Sequence, residues 1–142
     1  MDQKKQPGIR FKNVFLKNVS FSREPNVPEN GSLNFNFECQ KTLSEDGKSL
    51  VFNLGCNINE KTGAFTIACS FIGLFEAEET APNMSLAQFA EENAPALMFP
   101  YLREFISSTT LNAGMNPIVL PPINIRALLK ANDSQEKQII EK

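Results

Sequence analysis

The side chains of this chain that could act as nucleophiles or metal ligands are three cysteines and three clustered glutamates: Cys39, Cys56, Cys69, Glu76, Glu78 and Glu79. The cysteines lack the Cys-x-x-Cys spacing of a zinc site, and each falls on the apolar side of an alternating segment. The glutamates could hold a hard cation, but the neighbouring sequence supplies no further ligands, so a solvated loop is the simpler interpretation. The chain contains no histidine, the commonest general base and metal ligand, and no glycine-rich phosphate loop. We therefore expect no enzyme, no cofactor and no metal site, and predict a protein that works by binding.

The length and the charge of the chain further limit the kind of protein it can be. With 142 residues, the chain is expected to form one domain over 1–142. Its 14 basic and 16 acidic residues are nearly balanced, which argues against nucleic acid as the main partner. No apolar run is long enough to span a membrane, and no apolar segment follows the lysines of the N-terminal MDQKKQPG. We therefore expect no membrane insertion, no secretion signal and a cytoplasmic location.

Alternating apolar and polar residues predict four strands between about residues 9 and 75. The first strand directs one set of apolar residues to a common face: Ile9, Phe11, Phe15, Val19 and Phe21. Asn13 and Lys17 interrupt that face, so a bulge or a bend is expected near them. The next three strands are joined by short turns, one at Glu45–Lys48 and one at Lys61–Gly63, and must therefore form an antiparallel meander.

Helices are predicted at about 85–113 and 124–133, followed by a polar C-terminal tail. Ser85 and Gln88 form a capping box, Gly114 is a natural helix stop, and Asn124 can cap the last helix. The stretch Asn93–Gly114 has Pro95 in its first turn and Pro100 inside it, where we expect a kink. Its apolar residues cover about 200° of the circumference, whereas packing on one sheet needs little over 100°. The excess predicts a second neighbour, such as another subunit or a ligand, in an α+β fold with a four-stranded antiparallel sheet and helices on one face.

Motifs at both ends of the chain resemble the SecB protein-export chaperones. The segment Ala94–Tyr101, followed by Arg103 and Glu104, is similar to the family pattern P-x-x-x-F-P-Y-x-R-E. Gly114, Pro117, Pro122-Ile123-Asn124 and Ala127-Leu128 continue that resemblance, the last two being similar to the family's P-V-N-F-x-A-L ending. Asn18–Phe21 and the loop Pro25–Pro28 are similar to the family's first strand and its A-P-N-A-P loop.

The resemblance implies a bacterial cytoplasmic holdase that needs no ATP, forms dimers or tetramers, and passes unfolded preproteins to the motor SecA. It implies a peptide groove lined by aromatic and aliphatic side chains, for which the candidates are Phe21, Phe75, Phe89, Phe99, Tyr101, Ile118 and Leu120. The candidates for the oligomer interface are Leu97, Met98, Tyr101, Leu102 and Phe105.

The positions that match the family's motor-docking surface are not acidic here. Asn18 and Ser22 stand where the family sequence D-I-S-F-E has its acids, and Ala68 replaces an acidic residue of a later strand. The tail 132–142 mixes lysines with acids. A positively charged partner would lose its main attraction, so SecA docking is left open. Three alternatives remain: a SecB-like chaperone dedicated to one client such as an antitoxin, an adaptor with the same fold, and a binder of small hydrophobic ligands.

Overall fold

The computed structural model describes residues 8–78, 84–121, 124, 125, 127 and 129. Its elements are β1 (Ile9–Arg23), β2 (Leu33–Leu43), β3 (Ser49–Glu60), β4 (Phe65–Ala77), α1 (Leu86–Glu92) and α2 (Ala94–Asn112). The strands form one antiparallel sheet in the order β1-β4-β3-β2, and both helices lie on one face of it. The predicted α+β architecture is therefore confirmed. Of the helix predicted at 124–133, Ile125, Ala127 and Leu129 are helical, and the other positions, except Asn124, lie outside the described residues together with the tail.

Strand β1 departs from regular alternation at two points. Its register with β4 shifts between Phe11 and Asn13 and again between Leu16 and Asn18, which confirms the predicted irregularity as two bulges. Each bulge inserts one residue and exchanges the two faces. Phe15, paired with Ile72, consequently lies on the face away from the helices and is 44% exposed, so its predicted place on a common face with Phe11 and Phe21 is wrong. Val14, paired with Gly73, packs against the core instead.

The core lies between the sheet and α2. On the strands, Phe52, Leu54, Ile58 and Ile67 are fully buried, and α2 contributes Met98, Leu102 and Ile106. Gly73 of β4 leaves room for the Met98 side chain of α2, because a Cβ atom at this position would overlap Met98 Sδ.

The helix ends agree with their sequence signals. The hydroxyl of Ser85 accepts a hydrogen bond from Gln88 N at 3.1 Å, whereas the Gln88 side chain bonds Glu92 instead of closing the capping box. Pro95 lies in the first turn of α2, and Pro100 lies inside a continuous helix. Gly114 follows that helix at a φ of 75°, a conformation that favours glycine. None of the described helices is long and apolar enough to cross a membrane.

Candidate functional site

Helix α2 has more apolar surface than its own sheet covers. One side is buried on the sheet, while Leu97 and Tyr101 on another side are each 43% exposed. Leu111, near the end of the helix, is exposed as well. Phe105 is half-buried, with its ring 5.7 Å from that of Phe71. The broad apolar arc expected from the sequence is thus present and only partly covered within one chain.

The five candidates for the oligomer interface divide between these two sides. Leu97 and Tyr101 are exposed, and Phe105 is partly accessible. Met98 and Leu102 are fully buried against the chain's own sheet and leave no surface for a second subunit. Within this chain, the surface available to a partner therefore centres on Leu97 and Tyr101.

The seven candidates for peptide binding are not brought into one groove. Phe75, Phe89, Phe99 and Leu120 are buried, and the Phe75 ring lies 5.1 Å from that of Phe89. A client therefore has no access to these four side chains in this conformation. Phe21 is half-buried on β1, and exposed Tyr101 meets Phe11 edge-on at 6.1 Å. Only Ile118 among the seven lines the cleft described next.

A surface cleft of about 270 Å³ lies between the β1–β2 loop and the segment that follows α2. We call it the loop cleft. Its lining combines apolar and polar surface in similar measure. The apolar side chains are Val27, Pro28, Leu33, Phe65, Met115 and Ile118. Arg23, Glu29 and Asn116 provide polar side chains. Apolar side chains beside a small number of polar groups can both bury and orient a ligand.

Hydrogen bonds from two side chains, buried Thr110 and half-buried Arg23, hold the walls of the loop cleft. The hydroxyl of Thr110, a buried residue of α2, donates to Ile106 O at 2.8 Å and accepts from Ile118 N at 2.9 Å. On the other wall, Arg23 donates to Pro25 O at 2.8 Å. The same guanidinium donates to Ala113 O at 2.7 Å, just beyond α2. Hydrogen bonds therefore fix the positions of both wall segments in the fold.

Glu60, a buried carboxylate at the end of β3, secures the turn below the loop cleft. The Thr62 hydroxyl donates to it, as do Thr62 N at 2.7 Å and Ala64 N at 3.1 Å. These donors favour the ionised form and lower the pKa of Glu60 below its ordinary 4.5, the Thr62 hydroxyl contributing most. A Cβ atom at Gly31 would lie 2.8 Å from Glu60 Oε2, so glycine lets the β1–β2 loop pack closely on this carboxylate.

A second depression, the helix groove, runs along α2 with a volume of about 370 Å³. Its lining mixes charged, hydroxyl and apolar side chains: Pro100, Arg103, Glu104, Ser107, Ser108, Leu111, Pro117 and Val119. Leu111 and Val119 are the most exposed large apolar residues among those described. The helix groove lies beside the uncovered side of α2.

The three candidate motor-docking positions lie together on the sheet face that points away from the helices. Asn18 pairs with Ser70, whose hydroxyl donates to the Asn18 side chain at 2.8 Å. Ser22 pairs with Thr66, and Ala68 pairs with Ser20 on the same face. The structure thus brings together the three positions expected to lie there, and all three are uncharged.

The cysteines occupy the helix-side face of the sheet. Cys56 and Cys69 face each other across β3 and β4, and burial raises their pKa values to about 12 and about 11. Both are therefore thiols near neutral pH, whereas a nucleophile or metal ligand must be a thiolate. Within the described part of the chain, no group of histidine, cysteine, aspartate or glutamate side chains is arranged to hold a metal ion.

Sequence reasoning missed most of the loop cleft. Val27 belongs to the Pro25–Pro28 loop motif, which does not by itself mark a cleft residue, and no local pattern distinguishes Met115. Arg23 was also missed, because no local signal links it to Ala113, 90 residues away. The only hint was a single arginine at the end of a strand, just before a proline-containing loop.

Comparisons with known proteins agree with this architecture. The family described as preprotein translocase subunit SecB matches residues 2–136. An uncharacterised protein of Methanocaldococcus jannaschii is 30% identical over 142 residues, covering 94% of this chain and 90% of its own. The protein-export protein SecB of Magnetococcus marinus is 32% identical over 133 residues, covering 87% of this chain and 83% of its own.

Among solved structures, the fold is similar to a SecB-like chaperone of Mycobacterium tuberculosis, determined in complex with a ChAD peptide from the HigA1 antitoxin. The TM-score is 0.68 at 16% sequence identity, covering 82% of this chain and 88% of the other. That likeness establishes the fold, and the family match extends over nearly the whole sequence. The protein belongs to the SecB family.

Proposed function

We propose that the protein is an ATP-independent holdase that binds unfolded polypeptides, including preproteins for export, and keeps them competent for translocation. The observation that carries this proposal is the loop cleft, a surface cleft with apolar side chains on both walls, whose two wall segments are each anchored by hydrogen bonds. Membership of the SecB family supports the same conclusion. A holdase needs no chemical step, so the protonated, buried thiols of Cys56 and Cys69 have no catalytic part in it.

The size of the loop cleft suits a single apolar side chain rather than a folded partner. Burying one such side chain contributes about 1.5–3 kcal/mol, which alone gives only weak binding. A long unfolded client can occupy several clefts and apolar patches together, and the linked contacts raise the affinity by multivalency. The exposed residues of α2 and the helix groove provide further apolar surface on the same chain.

A second copy of the chain is the proposed neighbour for the uncovered side of α2. Leu97 and Tyr101 are large, apolar and exposed on one helix, as expected of the centre of an interface. A dimer or tetramer would place several loop clefts on one particle and allow multivalent capture. Static light scattering at micromolar concentrations tests the assembly, and a monomer would contradict it.

Suppression of aggregation tests the holdase proposal. Wild-type protein at stoichiometric amounts should prevent light scattering by a chemically denatured client diluted into buffer. Val27→Ser, which makes one wall of the loop cleft polar, should weaken the suppression. Val51→Ser is the matched control, because Val51 is also partly exposed but pairs with Leu74 on the opposite sheet face.

Two results would overturn the proposal. If wild-type protein leaves the client aggregating unchanged, the protein is not a holdase. If Val27→Ser and Val51→Ser weaken the suppression equally, the loop cleft is not the site, and binding must be sought on α2 or in the helix groove.

A chaperone dedicated to one client is the second candidate, favoured by the absence of acidic side chains at three positions of the outer sheet face. Asn18, Ser22 and Ala68 offer no negative charge to a basic partner, so these three positions are not expected to attract SecA. Mass spectrometry of polypeptides that co-purify from the native host separates the candidates, since one dominant client favours dedication and a mixture of preproteins favours export. Firm retention of SecA in a pull-down would show that SecA docking does not require acidic side chains at these three positions.

The cytoplasmic location forms part of this proposal, because preproteins must be bound before they cross the membrane. Fractionation of the native host tests the location directly. Recovery of the protein outside the cytoplasmic fraction would contradict it.

A further inference from the structure

Arg23 is a structural clamp that joins distant parts of the chain. Its Nε donates to Glu24 O at 2.9 Å, its Nη2 to Pro25 O at 2.8 Å, and its Nη1 to Ala113 O at 2.7 Å. The first two acceptors belong to the beginning of the β1–β2 loop, and the third is the residue that caps α2. One planar guanidinium thus binds three carbonyl oxygens in a fixed arrangement, because its N–H donors lie in a rigid plane.

The charge of Arg23 complements the end of α2. The last turn of this helix contains no basic residue, so its carbonyl groups lack a local positive partner. Arg23 supplies that positive charge from β1, at the negative end of the helix dipole. No ion pair of the described residues includes Arg23, and its guanidinium bonds carbonyl oxygens instead.

Both walls of the loop cleft begin at this clamp. The loop that carries Val27 and Pro28 leaves β1 immediately after Arg23, and the segment that carries Met115 and Ile118 leaves α2 immediately after Ala113. Arg23 also lines the cleft itself. Thr110 holds the far side of the second wall through Ile118 N. The separation of the walls therefore depends on Arg23 at one end and on Thr110 at the other.

We propose that Arg23 is the positioning residue of the loop cleft, holding its two walls at the separation that accepts a client side chain. This inference rests on the proposed holdase function. Without the clamp, the walls separate part of the time, and the apparent affinity falls with the fraction of molecules that have a closed cleft. The effect arises before the client binds, so it is a loss of preorganisation rather than of a client contact.

Two substitutions and a matched control test the role of Arg23. Arg23→Ala removes the clamp, and Arg23→Lys keeps the charge but cannot reproduce three fork-like hydrogen bonds. Arg10→Ala is the control, because Arg10 lies on the same strand with a side chain 66% exposed and pairs with Glu76 at 3.5 Å. Hydrogen exchange by mass spectrometry, melting temperature, and affinity for a fluorescent denatured client are measured for each protein.

We expect Arg23→Ala to exchange faster in residues 26–33 and 115–118, while the amides of β3 and β4 remain protected. The client dissociation constant should rise about tenfold, the effect of losing roughly one charge-assisted hydrogen bond between the walls. Arg23→Lys should recover only part of the affinity, and Arg10→Ala should match wild type. A purely structural role would instead raise exchange throughout the sheet and lower the melting temperature without a selective effect at the walls.

The outcomes distinguish this inference from the proposed function. If wild-type protein binds no denatured client, the holdase function is wrong and the positioning role falls with it. If wild type binds a denatured client and both Arg23 variants bind it as tightly as wild type does, the holdase function stands and the positioning role is wrong. Unchanged exchange at the two walls in Arg23→Ala would show that Arg23 does not clamp them, and would equally overturn the inference.

Discussion

Replacement of Gly73 by alanine is expected to destabilise the protein by overpacking the contact between β4 and α2. A Cβ atom at this position would overlap Met98 Sδ and would lie 3.0 Å from Phe75 Cε2. Unstrained contacts between such atoms need about 3.5–4.0 Å, so the thioether must move away. Met98 is fully buried, and no adjacent solvent is available to receive it. The helix must shift or Met98 must leave its rotamer.

The expected cost follows from two opposing effects. Inserting a methyl group into a packed core costs about 1–3 kcal/mol. Replacing glycine by alanine also restricts the unfolded chain, which stabilises the folded state by about 0.4–1 kcal/mol. Subtracting the second effect from the first leaves a net destabilisation of about 0–2.6 kcal/mol, centred on about 1.3 kcal/mol. That central value corresponds to about 3–5 °C in melting temperature for a domain of this size.

Urea denaturation at one fixed protein concentration measures this change, because association would otherwise alter the apparent stability. Gly55→Ala is the matched control on neighbouring β3, where a new Cβ atom would meet Glu38 Cγ at 3.4 Å, an ordinary contact. In a Met98→Ala background, Gly73→Ala should cost clearly less, since the atom it strikes is gone. If Gly73→Ala is as stable as wild type and Gly55→Ala, α2 does not rest on β4 as described.

Three further predictions address charge, thiols and assembly. The pKa of Glu60 is lowered in the folded state, so the stabilisation that its carboxylate provides is present above about pH 4.5 and is lost as the pH falls through the lower folded pKa. Glu60→Gln should therefore show a smaller fall of melting temperature on acidification than wild type. An identical dependence of melting temperature on pH in the two proteins would contradict this. Because Cys56 and Cys69 are buried and protonated, iodoacetamide should label half-buried Cys39 first in the native protein, and equal labelling rates by mass spectrometry would contradict the described burial. Tyr101→Asp introduces a charge on the uncovered side of α2 and should reduce the oligomeric mass measured by light scattering; unchanged mass and melting temperature together would remove Tyr101 from the interface.

Strands β2, β3 and β4 could be predicted from the sequence because their signals are local. Alternation shows which residues share a face, and the Asp46-Gly47 turn carries its own chemistry. The Ser44 hydroxyl donates to Asp46 at 2.6 Å, Lys48 N donates to it at 3.0 Å, and Gly47 adopts a φ of 71°. The start of α1 at Ser85 and the end of α2 near Gly114 are likewise encoded within a few residues. Such elements form as expected when local and tertiary preferences agree.

Strand β1 shows where local reasoning fails. The interruptions at Asn13 and Lys17 revealed that the strand is irregular, but not that two bulges would exchange its faces and turn Phe15 away from the helices. The positions of the bulges depend on pairing with β4, more than 50 residues later. A change of one residue in register moves every following side chain to the other face, so a small error has a large effect.

The sequence by itself determined the α+β class, the helix signals and the motifs of the SecB family, because these depend on neighbouring residues. It also showed that Asn93–Gly114 has more apolar surface than one sheet needs. Only the tertiary structure decided that Met98 and Leu102 face the sheet, that Leu97 and Tyr101 remain exposed, and that Phe75 and Phe89 pack against each other. It also decided that Arg23 meets Ala113 and so helps to form the loop cleft. Burial and clefts arise between residues distant in the chain, and no local pattern records which of them will meet.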